Sequence, residues 1–177
     1  MKRKDDRWPK QFGDFAERLA MYVLGQLKNM SVAWIDHVGA DLIAANREGA
    51  KVRYAISVKG RNFPVSESKS FKFDQNNIDK LTFTAETFGM IPAVAFVFVD
   101  EMEGIKKIRL FFLLLKDLKE LSMDPDICFL ERVADGIQFK YTEGKTVRHL
   151  SAVRECSRID YSELTFSALK DAVSFNE

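Results

Sequence analysis

The segment YAISVKGRNF, residues 54–63, has the pattern of a strand that crosses the core and ends in a glycine turn. Residues two apart on a strand point to the same face, so Ile56 and Val58 share one face and Ser57 and Lys59 share the other. We expect the apolar pair to face the core. A lysine at the end of an apolar strand is by itself usually a solvated strand end. The role of Lys59 therefore depends on the residues around it.

Two short apolar runs before this segment are predicted to form strands beside it. SVAWID (31–36) is followed by ADLIAAN (40–46), and the turn-like sequence REG then leads to KVRYAISVK (51–59). This pattern predicts neighbouring antiparallel strands. In that pairing, Asp41 at the start of one strand lies across from the end of the next strand, which carries Lys59. An acid and a lysine are thus predicted to converge at one end of the sheet.

An amphipathic helix is predicted before these strands. Apolar residues recur at helical spacing over residues 12–27 and form one broad stripe, with Asn29 as the expected stop. Glu17 lies near the edge of this stripe, where an unpaired carboxylate would be costly to bury. It therefore needs a partner, which could be a metal ion, Arg18 or a lysine on a neighbouring turn.

The elements after residue 59 complete a sheet flanked by helices. The polar segment 60–73 is expected to be the least ordered part, and a second helix is predicted over residues 74–88, ended by Gly89 and Pro92. Two continuous apolar runs follow, AVAFVFV and IRLFFLLL, which are typical of strands covered on both faces. They are expected at the centre of the sheet, joined across the acidic turn DEMEGIKK.

The last third of the chain is predicted to add smaller elements. KDLKEL (116–121) favours a short helix, and GIQFKYTEGKTVRHLSAV (136–153) favours a hairpin. YSELTFSALKDAV (161–173) is interpreted as a closing helix with Ser162 at or near its N-cap.

Length and composition favour one self-sufficient folding unit. The 177 residues, 46% of them hydrophobic, suit a single domain with its own core. No long uncharged apolar run exists, and the start MKRKDDRWPK lacks the apolar segment of a secretory signal. We therefore expect a cytoplasmic protein with no membrane association. Cys128 and Cys156 are far from any CxxC pairing and are expected to be buried thiols.

Charge is distributed unevenly along the chain. Residues 1–80 contain 15 basic and 10 acidic side chains, whereas residues 81–177 contain 12 and 16. This asymmetry is compatible with a basic face for a polyanion although the net charge is only +1.

The order of these motifs resembles a known group of nucleases. Glu17 on an opening helix, GADLIA with Asp41 and YAISVKG with Lys59 resemble the PD-(D/E)xK nuclease superfamily. FDQNNIDKLTFTAETFGMIPAVAFVFVD (73–100) resembles the region after the catalytic lysine in archaeal-type Holliday junction resolvases, where a Gln opens a helix that ends in FG. Gln75 holds that position here.

The resemblance implies an α/β restriction-endonuclease-like fold, with a central mixed sheet flanked by helices; the C-terminal hairpin and helix are predicted from the sequence pattern and do not match the family. It covers about residues 10–115. The remainder, about 116–177, is an elaboration of the same single domain, 1–177.

The resemblance also implies a division of labour in the site. Asp41 would be the principal ligand of Mg²⁺ or Mn²⁺, Glu17 would bind the metal directly or through water, and Lys59 would position the attacking water. Ser57 departs from the family, which usually has an acid two residues before the lysine. Its hydroxyl could still supply a neutral oxygen.

Other candidates for the missing acid have weaker positions. Glu48 lies in a turn, and Asp36 is expected to be a solvated carboxylate at a strand end. Neither His37 nor His149 is assigned a role, because an isolated histidine is more often simply solvated. An alternative role for Asp41, independent of any metal, is to cap the turn after Gly39.

The favoured function is a Mg²⁺-dependent endonuclease acting on structured or duplex DNA, and the resemblance implies a homodimer. One alternative is a catalytically silent member that binds nucleic acid or a protein partner, and another is an interaction module unrelated to nucleic acid. The candidate phosphate contacts are basic residues that flank the site in the sequence: Lys2, Arg3, Lys4, Arg61, Lys69 and Lys72.

Overall fold

Strand pairing organises most of the chain. The computed structural model describes residues 7–47, 52–62, 70–102, 105–127, 129–140, 155–160 and 165–168. In chain order these residues form α1 (Arg7–Gly25), β1 (Met30–His37), β2 (Ala40–Asn46), β3 (Arg53–Asn62), β4 (Ser70–Asp74), α2 (Gln75–Thr87), β5 (Ile91–Met102), β6 (Ile105–Leu114), α3 (Leu115–Leu121), β7 (Leu130–Val133), β8 (Gly136–Lys140), β9 (Glu155–Asp160) and β10 (Thr165–Ala168).

Seven of the strands form one mixed sheet, in the order β1-β2-β3-β5-β6-β9-β10. Strand β3 runs parallel to β5, and the other neighbouring pairs are antiparallel. The apolar strand β5 is central and β6 lies beside it. The predicted antiparallel arrangement of β1, β2 and β3 and the central mixed sheet flanked by helices are therefore confirmed. Among the described residues, no helix has the length and apolar character needed to cross a membrane.

Helix α1 covers one face of this sheet with its apolar stripe. Ala16 and Leu24 are buried in one cluster with Leu42 of β2 and Ile56 of β3. Removing such side chains from water contributes about 1.5–3 kcal/mol for each large one. Asn29, the predicted stop, follows the end of the helix and has a positive φ of 63°. That left-handed conformation is one that asparagine tolerates better than most residues.

The opposite face of the sheet packs against a second layer made of α2, α3 and a small sheet in the order β4-β8-β7. Residues of β5 alternate between the layers, with Val94 and Phe96 in this second core and Ala93 and Ala95 in the core under α1. Coverage on both faces explains why the run is continuously apolar. The second core is rich in phenylalanine: Phe71, Phe73, Phe96, Phe98, Phe111, Phe129 and Phe139.

Helix α2 begins and ends where its sequence signals predict. The side chain of Asp74 accepts a hydrogen bond from the Asn77 backbone N–H at 2.8 Å and so caps the N-terminus. After the helix, Gly89 adopts a positive φ of 60°, as glycines that end helices often do. The short helix predicted at 116–121 is also present, as α3.

The small sheet corrects two predictions. Part of the polar segment expected to be least ordered forms strand β4, because Phe71 and Phe73 alternate with polar residues and fill the second core; residues 63–69 lie outside the described residues. Strand β8 pairs with β7 before it and with β4, rather than with the sequence that follows. The hairpin therefore spans β7 and β8, and residues 141–154 lie outside the described residues.

The predicted closing helix is wrong over residues 165–168. These residues form strand β10, which pairs antiparallel with β9. The sequence TFSA is compatible with a helix or a strand. As a strand, it pairs with β9, and this pairing satisfies the backbone hydrogen-bonding groups of both strands. Ser162, the expected N-cap, and residues 169–177 lie outside the described residues, as does Cys128; Cys156 is in β9, and its side chain is not described.

Candidate functional site

The pairing of β2 with β3 brings Asp41 beside Ser57. Leu42 lies opposite Ile56 in the antiparallel register, and Asp41 and Ser57 are the adjoining residues on the two strands. The Asp41 Oδ2 atom accepts hydrogen bonds from the Val58 backbone N–H at 2.6 Å and from the Ser57 hydroxyl at 3.4 Å. The carboxylate is therefore held in place by β3. Ser57 itself is only 3% exposed.

The turn before Asp41 is fastened to helix α2. Gly39 has a positive φ of 89°, and a Cβ atom there would overlap the backbone of Lys80. The Thr84 hydroxyl donates a hydrogen bond to the Val38 carbonyl from the same helix. A glycine is needed at this point because both the conformation and the close approach exclude a side chain. The start of β2, and with it Asp41, is thus fixed by α2 as well as by β3.

Lys59 lies two residues beyond Ser57 and on the same face of β3. Its ammonium is 5.8 Å from the centroid of the Phe73 ring, in the small sheet. Burial lowers the pKa of Lys59 from its ordinary value of 10.5, opposed mainly by the carboxylate of Asp41. The charge of Arg61 lowers this pKa further, and those of Asp74 and Glu17 raise it. Lys59 is therefore easier to deprotonate than a surface lysine.

Glu17 reaches the same site from the other layer. It is half-buried on α1, and its pKa is raised from 4.5, first by burial and then by the nearby carboxylate of Asp41. A hydrogen bond from the Trp34 side chain and the charge of Lys59 act in the opposite direction. The structure thus brings Glu17, Asp41 and Lys59 into one electrostatically coupled group at the end of β3.

Gly60 permits the close approach of α1 to this group. A Cβ atom on Gly60 would lie 2.9 Å from the Cβ of Ala16 and 2.9 Å from a ring carbon of Phe12. Such distances are shorter than packed carbon atoms tolerate. The absence of a side chain at residue 60 therefore lets the helix segment that carries Glu17 lie directly over β3.

The ligands available for a cation are oxygen atoms. The donors predicted from the sequence are two carboxylates, from Glu17 and Asp41, and the Ser57 hydroxyl; the carboxylate of Asp74 also acts on the Lys59 ammonium. Within the described part of the chain, no group of three or more His, Cys, Asp or Glu residues is arranged to hold a metal ion. Asp36 is exposed on β1, and Glu48 lies outside the described residues.

His37 lies away from the group. His37 faces α2, with its Nδ1 atom 3.2 Å from the Thr84 hydroxyl and its ring edge-on to Phe88 at 5.3 Å. His149 lies outside the described residues.

Gln75 is the first residue of α2 and is exposed. Its side-chain amide donates to Asp79 Oδ1 at 2.7 Å, one turn along the helix. Its neighbour Asp74, rather than Gln75, acts on the Lys59 ammonium. The resemblance thus indicated Gln75, whereas in the structure the neighbouring N-cap residue Asp74 is the one that interacts with Lys59.

Two of the six predicted phosphate contacts lie among the described residues. The Arg61 guanidinium is 4.9 Å from the Phe71 ring centroid and donates to the Gly60 carbonyl at 2.6 Å. Burial lowers the pKa of this guanidinium from its ordinary value. Lys72 forms an ion pair with Asp135. Lys2, Arg3, Lys4 and Lys69 lie outside the described residues.

Sequence reasoning missed Trp34 as a site residue. The Trp34 side chain donates a hydrogen bond to the Glu17 carboxylate. The guanidinium carbon of Arg18 lies 5.5 Å from the centroid of the indole ring. The available signal was strand periodicity. Trp34 lies opposite Leu42 in the β1–β2 register, on the face that α1 covers.

Comparisons with known proteins find similarity among solved structures only. No protein family model matches the chain, and no curated protein matches it. Among solved structures, the chain is similar to a Holliday junction resolvase from the archaeal hyperthermophile Archaeoglobus fulgidus, with 16% identity and a TM-score of 0.46. The match covers 70% of this chain and 86% of the resolvase chain. A likeness of this size assigns neither a function nor a residue's role to this chain.

Proposed function

We propose that this protein is a metal-dependent endodeoxyribonuclease of the PD-(D/E)xK kind that acts on branched or otherwise structured DNA. The observation that carries the proposal is the convergence of Glu17, Asp41 and Lys59 at one strand end. The raised pKa of Glu17 and the lowered pKa of Lys59 both reflect burial there. Clustered ionisable groups with shifted pKa values are typical of catalytic sites.

The donor set fits Mg²⁺ or Mn²⁺. Both ions prefer oxygen ligands, and the mutual repulsion of Glu17 and Asp41 is the kind that a cation relieves. Asp41 would be the principal ligand, because Val58 and Ser57 hold its carboxylate in a fixed orientation. A bound ion would lower the pKa of a water molecule and neutralise charge on the phosphate.

In this proposal Lys59 acts on the attacking water, and the basic residues near the site bind the DNA backbone. With its lowered pKa, Lys59 can orient the attacking water and accept a proton from it. In this proposal Arg61, two residues further along β3, would leave the Gly60 carbonyl to contact the phosphate backbone, and Lys72 would exchange its exposed partner Asp135 for a phosphate. Gln75 is carried over from the resemblance as a candidate catalytic residue, and Lys2, Arg3, Lys4 and Lys69 remain candidate phosphate contacts because of their charge and their position in the sequence.

A second candidate function has its own support. Within the described residues no three acids are arranged to hold a metal ion, and one oxygen of Asp41 already accepts the Val58 N–H. These features favour a silent relative that binds nucleic acid or a protein partner through the same face. Salt-dependent DNA binding without cleavage would select this function.

Restoring the missing acid is the most direct test. We expect Ser57→Glu, or the smaller Ser57→Asp, to strengthen Mn²⁺ binding measured by calorimetry and to create or raise cleavage of branched DNA. The added carboxylate gives the ion a third charged ligand. In that background, Asp41→Ala or Lys59→Ala should abolish cleavage.

Ser31→Glu is the matched control, because Ser31 is exposed on β1 and the new carboxylate would lie beside Arg47, away from the site. Thermal melting would establish that each variant is folded. Folded Ser57 variants that neither bind Mn²⁺ nor cut DNA would refute the nuclease proposal and leave the binding function.

A further inference from the structure

Trp34 is a large aromatic residue held next to the candidate site yet left in solvent. It lies on the edge strand β1 and is 60% exposed. Tryptophan contributes most to stability when its apolar surface is buried, so this exposure does little for the fold. The exposed indole therefore offers a surface to a ligand.

The indole is fixed in place by two residues of α1. Its N–H donates to the carboxylate of Glu17, and the Arg18 guanidinium carbon lies 5.5 Å from its centroid. Met21 and Leu42 join these residues around a small cleft. A ring that is already oriented loses little conformational freedom when a ligand stacks on it.

The same residues connect this ring to the site. Glu17 hydrogen-bonds the indole and at the same time interacts with Asp41 and Lys59. An exposed arginine beside an exposed aromatic ring combines a phosphate contact with a stacking surface, as sites for single-stranded nucleic acid do. Bases inside a duplex are stacked and paired, so only an unpaired or extruded base could reach the ring.

We propose that Trp34 and Arg18 form a stacking site for an unpaired base of the DNA substrate, beside the candidate site of Glu17, Asp41 and Lys59. This proposal rests on the proposed nucleic-acid function and specifies its substrate class. The protein should prefer DNA with unpaired nucleotides at a branch or a strand end over a continuous duplex.

The test compares binding to three fluorescein-labelled DNAs of the same length: a continuous duplex, a duplex with a single-stranded arm and a single strand. Fluorescence anisotropy in EDTA measures binding without cleavage. Trp34→Ala should weaken binding to the two DNAs with unpaired bases about 5- to 150-fold, the loss expected for one stacked base, and should change duplex binding by less than about twofold.

Two further variants separate stacking from other roles of Trp34. Trp34→Phe keeps an aromatic ring but removes the N–H that Glu17 accepts, so binding to unpaired DNA should largely survive. Phe83→Ala is the matched control, because Phe83 is 64% exposed on α2 and lies outside the site; it should leave all three affinities unchanged.

The stacking proposal would be overturned if Trp34→Phe bound unpaired DNA as weakly as Trp34→Ala. It would also be overturned if Trp34→Ala lost affinity equally for duplex and unpaired DNA, or if the wild-type protein bound no unpaired DNA. The outcome is independent of catalysis. Preserved stacking in EDTA together with failed cleavage by the Ser57 variants would refute the nuclease and retain this site.

Discussion

At the scale of single residues, the site combines groups that destabilise the fold. Burial and the carboxylate of Asp41 raise the pKa of Glu17, so ionising Glu17 is less favourable in the folded chain than in the unfolded one. Strain of this kind is common where a protein keeps charges for binding or catalysis.

Glu17→Gln should therefore stabilise the protein at neutral pH. Below the ordinary pKa of 4.5 both side chains are neutral and the two proteins should be equally stable. As the pH rises through the raised pKa of Glu17 in the folded protein, Glu17 ionises and the wild type loses free energy of unfolding. The variant has no such group, so it should then be the more stable of the two proteins. The gain should stay below about 1 kcal/mol because solvent screens a half-exposed group.

Urea unfolding at pH 3.5, 5 and 7 would measure this difference. A wild-type protein that is the more stable at pH 7 would show that Glu17 is held by a favourable ion pair rather than strained by its surroundings. The same variant should bind Mn²⁺ less tightly than the wild type, because the ion loses a charged ligand.

At the scale of helices and strands, the sequence predicted those elements whose ends and pairings depend on residues close together in the chain. The cap at Asp74 and the glycine at residue 89 delimited α2, and the REG turn with its flanking apolar runs predicted the β2–β3 pair. Strand β4 was missed because its partner β8 lies more than 60 residues later, and no local pattern encodes such a pairing. The convergence of Glu17 and Lys59 likewise came from the family resemblance, since helix and strand periodicity alone does not place α1 over the end of β3.

The packing of α1 on β3 makes Gly60→Ala a test of how the site is assembled. The new methyl group would press on Ala16 and Phe12, so we expect a loss of about 1–3 kcal/mol of unfolding free energy and weaker Mn²⁺ binding as Glu17 moves away.

Gly13→Ala, in the helix that packs on Gly60, is the control. Residue 13 lies in α1, and a Cβ atom there meets nothing within 4 Å. This variant should gain about 0.5–1 kcal/mol from helix propensity, with Mn²⁺ affinity unchanged. Unchanged metal affinity in a folded Gly60→Ala protein would show that the helix position does not control the site.

At the scale of the whole molecule, an endonuclease that cuts two strands at a DNA branch would require two sites. One chain provides one group of Glu17, Asp41 and Lys59, so we expect a homodimer with two-fold symmetry. Sedimentation velocity over a tenfold range of micromolar concentrations should show a species of about 41 kDa, twice the 20.3 kDa chain. A strictly monomeric protein that still cuts both strands of a junction would contradict this arrangement.

The small sheet β4-β8-β7 has a consequence for the biosynthesis of the protein. Phe71 of β4 stacks on Phe139 of β8 with ring centroids 4.5 Å apart, and Lys59 and Arg61 lie against the phenylalanines of β4. When residues 10–115 have emerged from the ribosome, every candidate site residue and strand β4 are present, but strand β8, which pairs with β4, is not. Until β8 emerges, Phe71 and Phe73 remain without their partner strand, and the nascent chain exposes aromatic surface that chaperones recognise.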